Sequence, residues 1–216
     1  MTETSGLSCI NSPFELNLMG SIGRPQSCVE MSLSAKGEVL IRGEAVFSDY
    51  YKNPETTKNA FENGWFKTGD KAEVNADGSW KIIGRVKEQF KTSKGKYVAP
   101  VPLESSLGRN VDIEQVCVMG SGRKQPIALV VLGEGASKDR DELSQQLNTT
   151  LLSVNSELEP HEVLEHLIVV SEGWSIDNNL LTPTLKMKRD QLDQRYGHFL
   201  NADLKETLVW ESELMV

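Results

Sequence analysis

Three short segments carry side chains whose types and spacing could do chemistry. The first, Gly64 to Asp70 (GWFKTGD), leads an aromatic pair into a Gly-Asp turn. Glycine permits positive φ and close backbone approach, and Asp70 offers an acceptor pair to two adjacent hydroxyls. Composition alone supports a capped surface turn equally well. The second, Lys91 to Tyr97 (KTSKGKY), is a basic loop around Gly95. Its amides and ammonium groups could cradle a phosphate, but it lacks P-loop spacing, and in isolation a solvated basic hairpin is the plainer reading. The third, Thr182 to Arg189 (TPTLKMKR), places Pro183 ahead of Lys186. Proline holding the backbone extended would present one ammonium group from a loop, whereas the segment alone reads as a helix start with solvent-facing lysines.

The elements that must position these segments divide into two patterns. Up to about Arg85, short apolar runs alternate with turn residues: Gly37–Arg42, Ala45–Phe47, and Trp80–Ile83 beyond Asp77-Gly78. An Asp-Gly pair between apolar runs predicts a hairpin, so this half reads as twisted antiparallel strands. One helical insert is predicted over Asn53–Glu62, capped by Asn53 with Pro54 in its first turn. Beyond Arg85 the expected order is an extended piece at Tyr97–Ala99 and a short helix at Pro102–Gly108. Strands at Val111–Met119 and Ile127–Leu132 follow, then a helix at Lys138–Leu158 with Leu143, Leu147, Leu151, Leu152 and Val154 on helical spacing. A strand at Leu167–Val170 and a helix at Met187–Leu200 complete a compact α+β unit. The boundary falls near Arg85–Lys87, which divides the chain into residues 1–86 and 87–216.

Composition narrows the classes. The formal net charge of −8 argues against a broad nucleic-acid surface, although Lys91, Lys94 and Lys96 could still hold one small anion. The 3 cysteines, Cys9, Cys28 and Cys117, form no CxxC pair and suggest neither a disulfide framework nor a zinc site. A reducing, cytoplasmic setting fits best. No run reaches the roughly 18–20 apolar residues of a membrane span, which leaves only peripheral membrane contact open. His161 and His166 superficially resemble HExxH, but a spacing of five puts them about 140° apart on a helix.

In order along the chain, the segments resemble the adenylate-forming superfamily of acyl-CoA synthetases, luciferases and peptide-synthetase adenylation domains. Met1–Thr4 is similar to the end of YGxTE, Gly20–Pro25 to GSVGRP, and Gly37–Gly43 with Tyr50–Thr56 to GEIxVRG…GYxxxPExT. Gly64–Asp70 matches GWFxTGD, Ile83–Glu88 resembles the hinge motif, Lys91–Glu104 resembles KxSxGxxVxPxxIE, and Thr182–Lys186 sits where TPSGK is expected. The forms TSKGKYVAP and TPTLKMKR look like the long-chain fatty-acyl branch.

The resemblance implies a β-rich, distorted barrel-like end of a large N-terminal domain over 1–86. A small mobile C-terminal domain, a short sheet flanked by helices, would span 87–216. It implies ATP, Mg²⁺ and coenzyme A acting on a fatty acid through an acyl-adenylate. Thr2 would contact the phosphates and Glu3 would hold the magnesium ion, a hard cation suited to carboxylate and phosphate oxygens. Asp70 would accept from both ribose hydroxyls, with Arg85 beside the ribose. Lys186 would reach between the acid and the α-phosphate. Lys87 would be the hinge, and Lys94, Gly95 and Lys96 would meet coenzyme A. The family's phosphate-gripping loop and most of the acyl pocket lie upstream of YGxTE, so the partner expected is the missing N-terminal part of the same enzyme. The chain alone is expected to be inactive. The alternative from another class is a non-catalytic docking or regulatory module keeping the fold. Retention of Asp70, Lys87 and Lys186 argues against it.

Overall fold

The computed structural model describes residues 1–12, 14, 15 and 18–214. The chain forms two compact units, Met1–Glu88 and Gln89–Val216.

In the first unit, β1 (Cys9–Ile10) pairs with β2 (Arg24–Pro25). A second sheet contains β3 (Val29–Leu33) and β4 (Glu38–Gly43). After helix α1 (Pro54–Ala60) it continues with β5 (Phe61–Glu62), β6 (Trp65–Val74) and β7 (Trp80–Arg85). All pairings are antiparallel: β4 lies between β3 and β6, and β6 also pairs with β5 near its start and β7 near its end. A bridge between Gly23 and Trp80 ties the small sheet to β7, so the assembly curls. Gly23 has φ +86°, and a Cβ there would fall 2.0 Å from the Ile10 carbonyl oxygen, which explains the glycine ahead of Arg24-Pro25. The hairpin at Asp77-Gly78 forms as expected, with Gly78 at φ +80°. The cap on α1 forms too, the Asn53 side chain accepting from the Thr56 amide at 3.1 Å.

Four expectations about this unit change. Ala45–Phe47 is a turn rather than a strand; the Phe47 amide donates to the Glu3 carbonyl at 2.9 Å. The ring of Phe47 packs against Tyr50, Phe61 and Phe66, a demand that overrides local strand propensity. The helix stops at Ala60, because Phe61–Glu62 pairs back onto β6 through a turn at Asn63 and Gly64, both at positive φ. The Gly69-Asp70 pair lies inside the ten-residue strand β6 and is not a terminal turn. Strand β3 lies in a stretch where the sequence pattern predicts no strand.

The second unit begins with a hairpin of β8 (Phe90–Lys91) and β9 (Tyr97–Val98), followed by α2 (Pro100–Leu107). Next come β10 (Ile113–Met119), β11 (Ile127–Leu132), α3 (Arg140–Ser156) and β12 (His166–Val169). The unit closes with α4 (Arg189–Tyr196), β13 (Leu208–Trp210) and α5 (Glu211–Leu214). The sheet order is β10-β11-β12-β13, antiparallel at the first pair and parallel thereafter. Both faces are covered, so β11 reads as an unbroken apolar run. Ala128 and Val130 pack with Leu103, Leu107, Leu143 and Leu147, while Ile127 and Leu129 pack with Leu192, Tyr196 and Phe199. In α3 the Asp139 side chain caps the amides of Asp141 and Glu142. Leu152, grouped by spacing with the apolar face, is 69% exposed. The helix expected over Met187–Leu200 is shorter, starting at Arg189 and running on as a 3-10 turn over Gly197–Asn201, and α5 follows it where the sequence pattern predicts no helix. No helix among the described residues is long and apolar enough to cross a membrane.

Candidate functional site

In the first unit the site is built on a bulge in β6. Leu40 pairs with Lys67 and Glu38 with Lys71, so Thr68, Gly69 and Asp70 face Val39 alone. Extra residues of this kind bend a strand and re-aim its side chains. The buried Thr68 hydroxyl donates to the Val39 carbonyl at 2.8 Å and accepts from the Asp70 amide at 3.1 Å. The Gly69 amide donates to Glu38 Oε1 at 2.9 Å. Gly69 sits at φ +74°, and a Cβ there would lie 3.1 Å from Arg85 Nη2. Glycine thus meets both demands, the left-handed backbone and the close guanidinium.

Asp70 Oδ1 lies 3.0 Å from Arg85 Nε, opposite it in the β6–β7 pairing. Half-burial pushes the Asp70 carboxyl above its ordinary value; Arg85 pulls it down, while the charges of Glu88 and Glu38 push it further up. Burial therefore outweighs the ion pair, as expected for a surface-facing arginine in high dielectric.

Beside this bulge is a cleft of about 530 Å³ lined by Thr2, Glu3, Tyr50, Lys67, Thr68 and Arg85. Glu3 Oε1 accepts from the Tyr50 hydroxyl at 3.1 Å, leaving Oε2 without a protein donor among the described residues. That lone carboxylate suits an ion whose other ligands are waters and phosphate oxygens. Among the described residues no group of 3 or more His, Cys, Asp or Glu could hold a metal by itself. A second cleft of about 270 Å³ meets Asp70 and Thr68 with the apolar side chains of Leu7, Cys9, Ile22 and Met31. Structure thus gathers Thr2, Glu3, Asp70 and Arg85 in one unit. Lys87 lies in a 3-10 turn, Val86–Glu88, at the end of that unit.

In the second unit Lys94, Gly95 and Lys96 are exposed at the tip of the β8–β9 hairpin. Gly95 has φ +81°, and its amide donates to the Thr92 carbonyl at 2.9 Å. A neighbouring turn supports the tip: the Ser93 amide donates to the Arg123 carbonyl at 2.7 Å, and the Gly122 amide to the Lys91 carbonyl at 3.0 Å.

Lys186 is exposed on a separate loop. Pro183 does not extend this segment: Leu185 N–H donates to the Thr182 carbonyl at 2.8 Å, closing a turn with proline at its second position. Thr182 N–H donates to the Lys186 carbonyl at 2.8 Å, and Lys186 N–H to Thr182 Oγ1 at 3.0 Å. The following residue of the turn, Leu185, is left-handed at φ +59°, where TPSGK carries glycine. That conformation costs leucine roughly 1–2 kcal/mol, offset by glycine's extra unfolded-state entropy of roughly 0.5–1 kcal/mol. Leu185→Gly is therefore expected to stabilise the second unit by about 0.5–1 kcal/mol. Urea unfolding that shows destabilisation would contradict this.

Two residues that end motif segments but carry no assigned role in them, Glu104 and Arg189, hold this loop. Arg189 donates from Nη1 and Nη2 to Glu104 Oε1 and Oε2, each at 2.8 Å, and Glu104 Oε1 also accepts the Val118 amide at 2.8 Å. The helical wheel holds the signal: Glu104 lies on the face of α2 that carries Pro100, Leu103 and Leu107. A charge on an apolar face requires a partner.

Other groups stay outside the chemistry. Burial pushes the Cys117 thiol up to about 12 and Cys9 to about 11, so neither is primed as a nucleophile. His161 lies in a turn, and His166 is buried in β12 with Nδ1 2.8 Å from the Glu206 carbonyl.

Comparison with known proteins bears on the family and the fold. The AMP-binding enzyme C-terminal domain family matches residues 87–202. Long chain acyl-CoA synthetase 1 of Arabidopsis thaliana is 30% identical over 91% of this chain and 34% of its own length. Fatty acyl-CoA synthetase A of Dictyostelium discoideum is 35% identical over 94% of this chain and 36% of its own. The solved anthranilate CoA ligase with anthranoyl-AMP is 25% identical with a TM-score of 0.73, over 90% of this chain and 38% of that one. The adenylation domain of a carboxylate reductase from Mycobacterium chelonae gives 27% and 0.68, over 82% and 31%. The chain belongs to the AMP-binding enzyme C-terminal domain family, within the adenylate-forming enzymes. It spans about a third of the length of the curated relatives it matches.

Proposed function

We propose that this chain is the C-terminal part of an AMP-forming long-chain fatty-acid–CoA ligase that works in the cytoplasm. Residues 1–86 would end the large domain and residues 87–216 would form the mobile one. The observation that carries the reading is the Thr68–Gly69–Asp70 bulge, with Asp70 paired to Arg85 beside the cleft of Thr2 and Glu3.

In the first half-reaction, a carboxylate oxygen of the fatty acid attacks the α-phosphorus of ATP and pyrophosphate leaves. Asp70 holds the ribose through both hydroxyls, with Arg85 beside it, and Thr2 contacts the phosphates. The Lys186 ammonium offsets the charge that builds on the α-phosphate. Glu3 would be the protein carboxylate on Mg²⁺, which neutralises phosphate charge when bound. In the second half-reaction, the coenzyme A sulfur attacks the acyl carbon and AMP leaves. The hairpin of Lys94, Gly95 and Lys96 then serves coenzyme A, after rotation about Lys87.

The enzyme containing this chain is expected to convert ATP, fatty acid and coenzyme A to acyl-CoA, AMP and diphosphate. The 216-residue chain alone is expected to release no pyrophosphate with any acid. Acid-dependent release from the purified chain would refute the division of labour. Failure of the whole enzyme to form AMP would refute the reaction and leave a docking or regulatory role.

A further inference from the structure

The bulge in β6 removes the Gly69 amide from the β4–β6 ladder, and the group that receives it is a side chain. Glu38 Oε1 accepts that amide at 2.9 Å from the strand next door, across 31 residues of sequence. Resting on the nucleotide reading above, we propose that Glu38 is a positioning residue for Asp70, fixing the Gly69 amide so that the neighbouring carboxylate meets the two ribose hydroxyls.

Several observations converge on this role. Glu38 pairs in register with Lys71, one residue beyond Asp70, so its side chain starts level with the bulge. Thr68 already satisfies the Val39 carbonyl and the Asp70 amide, which leaves Gly69 as the one bulge amide that Glu38 takes. A left-handed glycine is the most mobile residue a strand can contain, and a charge-assisted bond restrains it. The position of Arg85 depends on the same glycine, since its guanidinium lies where a Cβ would be crowded. Charge adds a second consequence. With Arg85 pulling the Asp70 carboxyl down and Glu88 and Glu38 pushing it up, neutralising Glu38 must lower it.

The test compares Glu38→Ala with Glu38→Gln, whose amide oxygen can still accept. By NMR on the 216-residue chain, Glu38→Ala should speed Gly69 amide exchange at least about tenfold, while Glu38→Gln keeps protection. In Glu38→Gln the Asp70 carboxyl should titrate at lower pH, a readout that a purely structural role would not move. In the intact ligase, Glu38→Ala should raise the KM for ATP about tenfold with kcat and the KM for coenzyme A little changed, and Glu38→Gln should restore it. Unchanged Gly69 exchange in Glu38→Ala overturns the proposal. Should Asp70→Asn leave the KM for ATP unaltered, the nucleotide reading fails instead, and the exchange data still decide whether Glu38 holds the bulge.

Discussion

Replacing Lys186 by alanine in the intact ligase is expected to lower adenylation by about 10²–10³-fold. Thioester formation from supplied acyl-adenylate should change little. The asymmetry follows from where charge develops. When the acid attacks ATP, negative charge builds on the α-phosphate, and one pre-placed ammonium is worth most there. When the coenzyme A sulfur attacks the acyl carbon, that phosphate is the leaving group, served on the reading above by a different loop. Lys186 is exposed on a turn held by backbone bonds and by Thr182, so losing its side chain should leave folding within about 0.5 kcal/mol. Pyrophosphate exchange and single-turnover thioester assays on the same variant decide the matter. Equal losses in both halves would remove Lys186 from its assigned role.

Breaking the Glu104–Arg189 pair is expected to cost the second unit about 3–5 kcal/mol. Both groups are mostly buried, with side chains 9% and 20% exposed, and two parallel bonds of 2.8 Å join them. Glu104→Ala takes both 2.8 Å bonds from the buried guanidinium and strands the Val118 amide, whose acceptor is that carboxylate. Arg189 opens α4 three residues after Lys186, and Glu104 lies in α2 behind the Lys94–Lys96 hairpin. One ion pair therefore fixes the roots of both loops to the same sheet. Urea unfolding of Glu104→Ala should show the loss, and the double replacement Glu104→Leu with Arg189→Met should recover most of it. A loss below about 1 kcal/mol in the single variant would mean that water enters and the pair is effectively exposed.

Much of the local structure was legible in the residues themselves. Asn53 and Pro54 announce α1, Asp77-Gly78 announces the β6–β7 hairpin, and the apolar run Ile127–Leu132 announces a strand covered on both faces. Those signals lie within a few residues of the structure they specify, because caps, turns and period act locally. Reading failed where distant packing overruled local preference. Ala45–Phe47 looks like a strand, yet Phe47 turns to join the rings of Tyr50, Phe61 and Phe66. The pattern likewise does not predict β13, whose three residues gain their strand form by pairing with β12.

By itself the sequence determined the α+β class, most element positions and the family, together with Asp70, Arg85 and Lys186 as the groups to examine. Only the tertiary structure decided how those groups are held. The Gly69 amide reaches a carboxylate 31 positions away, and Glu104 meets a guanidinium 85 positions away. Contacts of that range exist only once strands are in register and helices are docked, since it is burial that makes an unpaired amide or charge costly enough to select its partner.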